Sequence, residues 1–195
     1  MPEFTKNQIL AINLYNWREI ENNHTIEQDL NKINHLYKTG DSCYQHNCQR
    51  AVMAYEARRR GYDVYAKPYL YRDTDTLIYD DIEKGWPSVF KNPKIIKLHG
   101  NSVEDIKGKI DRKLLDWGEG ARTVIAVDFK NQEDEGHVFI AEVENGIVKY
   151  VDPQTADMNV ESYFKDINPK EVILLRMDKL EFTNKIKECC GGYDT

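Results

Sequence analysis

Gly136-His137-Val138-Phe139-Ile140-Ala141-Glu142-Val143-Glu144-Asn145-Gly146-Ile147-Val148-Lys149-Tyr150-Val151-Asp152 reads as one structural unit. Two runs, 137–143 and 147–152, are rich in β-branched and aromatic residues, which suit a half-buried pleated surface. The Asn145-Gly146 pair between them is the strongest short-range signal for a tight hairpin turn. His137 stands eight residues before Asn145, and Asp152 six after Gly146. An antiparallel hairpin centred on that pair therefore brings the histidine and the aspartate to the same open end. One imidazole nitrogen can then bond the carboxylate, which fixes the ring and favours its charged form. The other nitrogen is left to face a third group.

That third group is sought outward along the chain. Residues 48–60 carry the clearest helix, with Asn47 at the N-cap and Ala51, Val52 and Tyr55 as an inward stripe. Arg58-Arg59-Arg60 suit the C-terminal dipole, and Gly61 ends the segment. These arginines read as a solvated helix end rather than an anion site. Cys48 therefore opens a helix, where the free N–H groups and the dipole favour a thiolate. A cysteine at a helix start, a lone histidine or an Asp-Pro turn is by itself most often structural; the three together make a thiol acyl-transfer site. His24, His35, His46 and His99 fall on helix faces or in loops and are not site candidates, and Trp86 and Trp117 read as core.

The remaining elements give the architecture. Apolar spacing over 5–37 predicts two amphipathic helices broken near Asn22-Asn23-His24, the second opened by Thr25 and Gln28 as a capping box. Residues 38–42 form a loop leading to the cysteine. Strands are expected at 63–67, 122–129 and 171–177, and a helix at 102–117 with Ser102 as cap and Ile106, Ile110, Leu114 and Trp117 on one face. Between 77 and 100 only Gly85-Trp86-Pro87 stands out, as a turn with a buried aromatic. Helices first and an antiparallel sheet after make an α+β order. The chain divides into an N-terminal helical segment (1–40), a core (41–180) and a polar, flexible tail (181–195).

Composition bounds the function. With 195 residues the chain suits one core, and a net charge of −6 with pI near 5.4 argues against nucleic acid or an anionic membrane as partner. No apolar run approaches the roughly 20 residues of a membrane span. The N-terminus lacks a signal-peptide pattern, so the expected location is cytoplasmic as synthesised, with delivery to a target cell by another system or within a larger polypeptide. Cys43, Cys48, Cys189 and Cys190 form no paired C-x-x-C zinc pattern, and reduced thiols are the default. No metal and no cofactor are expected.

Asn47-Cys48-Gln49, then Ala54-Tyr55-Glu56-Ala57-Arg58-Arg59-Arg60-Gly61-Tyr62-Asp63-Val64-Tyr65-Ala66, Gly136-His137-Val138-Phe139 and Val151-Asp152-Pro153-Gln154-Thr155 resemble the papain-fold toxin domain family (Tox-PL), whose members are described as glutamine deamidases. The motifs occur in the family's order over roughly residues 43–177. The resemblance implies a papain-like α+β fold with the cysteine helix packed on an antiparallel sheet. It makes Cys48 the nucleophile, His137 the general base and acid, and Asp152 the residue that orients it. Gln154, next in the pattern, would shape the site wall. Papain-like proteases carry a glutamine six positions before the cysteine; here that position is Ser42, so Gln45 and Asn47 are the candidates for substrate or oxyanion contacts. A protein substrate is implied, and an immunity protein in the cell that makes such a toxin. A papain-like protease, a deubiquitinase, a transglutaminase and a non-enzymatic phage- or toxin-associated binding module remain open alternatives.

Overall fold

The computed structural model of the protein describes residues 15–22, 24–70, 76–130 and 136–193. In chain order its helices are α1 (Ile26–Ile33), α2 (Ser42–Gln45), α3 (Cys48–Arg59), α4 (Val103–Trp117) and α5 (Ile186–Cys189). The strands are β1 (Val64–Ala66), β2 (Ile95–Leu98), β3 (Arg122–Phe129), β4 (Gly136–Glu144), β5 (Ile147–Val151), β6 (Ile167–Arg176) and β7 (Cys190–Gly192). Five strands form an antiparallel sheet in the order β2-β6-β3-β4-β5, and β1 and β7 pair apart from it.

The β4–β5 hairpin forms in the expected register, with Glu144 opposite Ile147 and Ile140 opposite Val151. Asn145 and Gly146 both take positive φ, at 55° and 72°, as a two-residue turn matched to the strand twist requires. The Glu119 carboxylate fastens this turn by accepting from both backbone N–H groups, at 2.8 and 2.9 Å.

Strand alternation sorts the core into two layers. Val124, Val138, Ile140 and Leu175 join the layer that contains α3, while Ile125, Phe139 and Leu174 join Ile106, Ile110 and Leu114 of α4. Those three α4 residues are fully buried, each worth roughly 1.5–3 kcal/mol of apolar burial. Ser102 caps α4 by accepting from the Asp105 N–H, and α1 carries the complete Thr25–Gln28 capping box.

Five expectations need correction. The first N-terminal helix lies mostly outside the described residues; past Tyr15 the chain leaves helix at Asn16 (φ 56°), and Glu19 bridges Tyr62. Helix α3 has no solvent side: Arg50, Glu56 and Arg58 are buried along with its apolar residues, because α1, β4, β1 and α5 all pack on it. The arginines at its end are accordingly not solvated. Finally, 181–195 is no loose tail as far as it is described. Its β7 pairs with β1, Cys189 and Cys190 are buried, and a Cβ at Gly191 would stand 2.5 Å from the Tyr65 ring. These glycines permit close packing rather than flexibility. Strand β6 also starts at Ile167, ahead of the expected 171. Among the described residues no helix is long and apolar enough to cross a membrane.

Candidate active site

Cys48 is the first residue of α3 and is 7% exposed. The N–H groups of the first helical turn have no carbonyl partner within the helix, so those of Cys48 and Gln49 are available to a ligand at this end. Asn47 occupies the N-cap position, but its side chain does not cap. It is buried and turned into a reciprocal amide pair instead: Asn47 Nδ2 donates to Asn34 Oδ1, and Asn34 Nδ2 to Asn47 Oδ1, both at 3.0 Å. Asn47 also donates to the Lys67 carbonyl, and Asn34 to the Tyr44 and Gln154 carbonyls. A cluster of neutral amides thus joins the start of α3 to α1 and to the turn after β5.

His137 lies at the start of β4, opposite Val127. Extending the hairpin register by one pair sets Asp152 opposite Phe139, so His137 and Asp152 are diagonal neighbours across the strands. His137 Nε2 donates to Asp152 Oδ2 at 2.9 Å, and the Cys48 side chain is near enough to act on the ring. Asp152 is fully buried, its Oδ1 accepting from the Gln154 N–H at 2.8 Å and its Oδ2 also from the Tyr163 hydroxyl at 3.0 Å. The imidazole rests beside Phe129, Phe139 and Tyr163. Burial opposes its charge, but the bonds and charges of Asp152 and Cys48 outweigh that and push its pKa up from 6.5 to about 10. The pair is therefore arranged to hold an imidazolium beside the sulfur.

Cys48 and His137 open onto a cleft of about 770 Å³, with Asp152 buried behind the histidine. Its walls include Gln45, Gln49, Trp86, Phe129 and Gln154. Gln45 is exposed at the rim, and its backbone carbonyl accepts from Gln154 Nε2 at 3.1 Å. Trp86, expected in the core, is both buried and part of this wall.

The structure thus brings Cys48 to the same cleft as the hydrogen-bonded His137–Asp152 pair and sets Gln45 and Gln154 on the adjoining wall. It turns Asn47 away from the cleft. Sequence reasoning passed over Asn34 and Tyr163: a lone asparagine at the end of α1 and a tyrosine in a 3₁₀ turn (Glu161–Lys165) carry no periodic or motif signal. None of the four cysteines is in a disulfide, and burial pushes the Cys190 thiol well above its ordinary value. Among the described residues no group of His, Cys, Asp and Glu is arranged to hold a metal.

Comparison with known proteins gives three findings. The fold is similar to the crystal structure of the Pseudomonas avirulence protein AvrPphB, with a TM-score of 0.41 and 11% identity, over 78% of this chain and 98% of that one. No curated protein matches the sequence. Residues 46–156 match the family described as papain fold toxin 1, glutamine deamidase, a span that includes Cys48, His137 and Asp152. With more than half of its length inside that match, the chain belongs to the papain-fold toxin family, and its α+β core is the papain-like one.

Proposed function

We propose that this protein is a toxin- or effector-type cysteine hydrolase that deamidates a glutamine side chain on a target protein, with Cys48, His137 and Asp152 as its triad. The observation that carries the reading is the Cys48 side chain at a helix start, sharing an open cleft with a His137 ring held by the buried Asp152 carboxylate. The family's description as glutamine deamidase selects the side-chain carboxamide among possible amides.

In the first half-reaction the Cys48 thiolate attacks the carboxamide carbon. The oxyanion is met by the backbone N–H groups of Cys48 and Gln49 and by the side-chain amide of Gln45 at the rim. His137 gives its proton to the departing nitrogen, so ammonia leaves and a thioester remains. In the second, His137 takes a proton from water, hydroxide attacks the thioester, and glutamate and free thiol are released. The net change is one water consumed and one ammonia produced, and the target gains one negative charge. Asp152 holds the ring in the orientation that serves both halves. Asn47 has a supporting role: through Asn34 it fixes the start of α3 relative to the turn that carries Gln154.

The test is incubation of a host-cell lysate with the wild type and with Cys48→Ala in heavy-oxygen water, read by peptide mass spectrometry. Glutamines converted to glutamate with one heavy oxygen, in the wild type alone, are the expected product. New chain ends would instead identify a protease, glutamine–lysine cross-links a transglutaminase, and no modification at all a binding module.

A further inference from the structure

We propose that Tyr163 is a positioning residue of this site: its hydroxyl shares Asp152 Oδ2 with His137 and so sets how tightly the carboxylate holds the imidazolium. Three donors reach the buried carboxylate. The Gln154 N–H occupies Oδ1 at 2.8 Å, while His137 Nε2 at 2.9 Å and the Tyr163 hydroxyl at 3.0 Å converge on Oδ2. Two donors on one oxygen compete for its electron density, and each weakens the other's bond. The Tyr163 ring also stands edge-on to His137, with centroids 5.8 Å apart, and to Phe139 at 5.8 Å. Tyr163 therefore touches the histidine through packing and the aspartate through its hydroxyl, and the two effects can be separated.

The chemistry explains why such a competitor is useful. His137 must carry a proton to stabilise the thiolate, yet release it to the departing nitrogen. A buried aspartate with no other donor on Oδ2 would hold the imidazolium harder and make it a poorer acid. The phenol draws charge from the same oxygen without adding a charge of its own. The ionisable groups around the pair are Cys48 from α3, Asp152 and Asp157 in the turn after β5, Asp128 on β3 beside Gly136, and His46, Asp80 and Glu171 on the cleft walls. None of these except Asp152 is bonded to the Tyr163 hydroxyl through a carboxylate, so the hydroxyl acts through that one oxygen. The inference rests on the triad of the functional reading but not on which amide is cleaved.

The experiment is a pH titration of the His137 ring by nitrogen-15 NMR in the full chain, for the wild type and Tyr163→Phe. The phenylalanine keeps the ring contacts and removes only the hydroxyl, so the expected result is a midpoint raised by about 0.5–1 pH unit, the size of one neutral hydrogen bond. Tyr163→Leu, which loses the ring as well, is expected to show the same shift. Fluorotyrosine placed at 163 alone, a more acidic phenol and stronger donor, is expected to move the midpoint down, and serves if either substitution fails to fold. Superimposable wild-type and Tyr163→Phe curves, a shift in Tyr163→Leu only, or a downward shift in Tyr163→Phe would each overturn the role of the hydroxyl. A wild-type midpoint at the ordinary histidine value would instead remove the triad itself.

Discussion

The two ends of α3 are built from opposite chemistry. At the Cys48 end the braces around Asn47 are neutral: the Asn34–Asn47 amide pair, the Lys67, Tyr44 and Gln154 carbonyls, and the Gln154 side chain on the Gln45 carbonyl. The buried cation near that end, Arg50, donates to the Glu188 carbonyl. At the far end three consecutive arginines are threaded among carboxylates. Arg58 meets Asp29 at 3.0 Å and Asp63 at 2.7 Å; Arg59 meets Glu142 at 2.9 Å; Arg60 meets Glu56 at 2.7 Å. Arg122, from β3, closes on Glu56 at 2.7 Å. Twelve helical residues separate the two ends by roughly 16 Å, about two Debye lengths at physiological salt. A thiol–imidazole pair is sensitive to any neighbouring charge, so a brace of amides can fix its geometry without retuning it. Ion pairs can fix the other end because no titration there matters to the site.

The largest effect that would test this division is at the chemical end. Cys48→Ala is expected to lower deamidation on the order of 10⁴-fold or more while leaving the urea midpoint nearly unchanged, since only a sulfur at the cleft is lost. A large loss of stability would show that Cys48 is a core residue first. The next effect is at the other end. Glu56 is fully buried; burial opposes its charge, but Arg122 and Arg60 hold its carboxyl below the usual range. Glu56→Gln leaves two guanidinium groups without their counter-charge and is expected to cost about 3–5 kcal/mol in urea unfolding. The alkylation rate of Cys48 in the variant that remains folded should not change. If the cost is below about 1 kcal/mol, the arginine end is a surface feature after all.

The same contrast decides what was legible in the sequence. The hairpin that joins His137 to Asp152 is local: turn chemistry and strand period fix it within seventeen residues, so its geometry could be read directly. Cys48 was legible as a helix start, and its pairing with His137 followed from the chemistry the three residue types make together, not from any local geometry. The arginines were misread because basic residues at a helix end satisfy the dipole rule, while Asp29, Glu142 and the Arg122 that shares Glu56 with Arg60 are distant in sequence. The closing Cys189-Cys190-Gly191-Gly192 failed for a related reason: glycines that admit the Tyr65 and Trp17 rings look the same in sequence as glycines that loosen a tail.

A third effect is in pH. The folded His137 titrates near 10, against 6.5 ordinarily, so its contribution to stability is fully present below about pH 6.5 and gone above about pH 10. Between those limits stability should fall with a slope approaching about 1.4 kcal/mol per pH unit. Urea denaturation at pH 6.5, 8 and 10 is the measurement, and His137→Gln should flatten the profile. Glu56 contributes in the opposite sense, its stabilisation being present above its ordinary value of 4.5 and lost in acid. An equal slope with and without His137 would mean that the ring is not held by Asp152 and Cys48 in solution.

The smallest effect is the most discriminating for the neutral brace. Asn47→Ala removes a donor from Asn34 Oδ1 and from the Lys67 carbonyl and an acceptor from Asn34 Nδ2. Leaving Asn34 Oδ1 and the Lys67 carbonyl without that donor is expected to cost about 1–3 kcal/mol, well short of the Glu56 variant. Activity should fall further than stability suggests, between about 10- and 100-fold, because the start of α3 is no longer fixed relative to Gln154 and His137. The double variant Asn34→Leu with Asn47→Leu separates the two consequences. Replacing both partners by apolar groups removes the unpaired side-chain amide, so part of the stability should return, although the Tyr44, Gln154 and Lys67 carbonyls lose their side-chain donors. The tie from Asn34 to the Gln154 carbonyl is now broken as well, so activity should not. If activity returns with stability, the amide pair only fills space, and the position of Cys48 is set from the charged end of the helix.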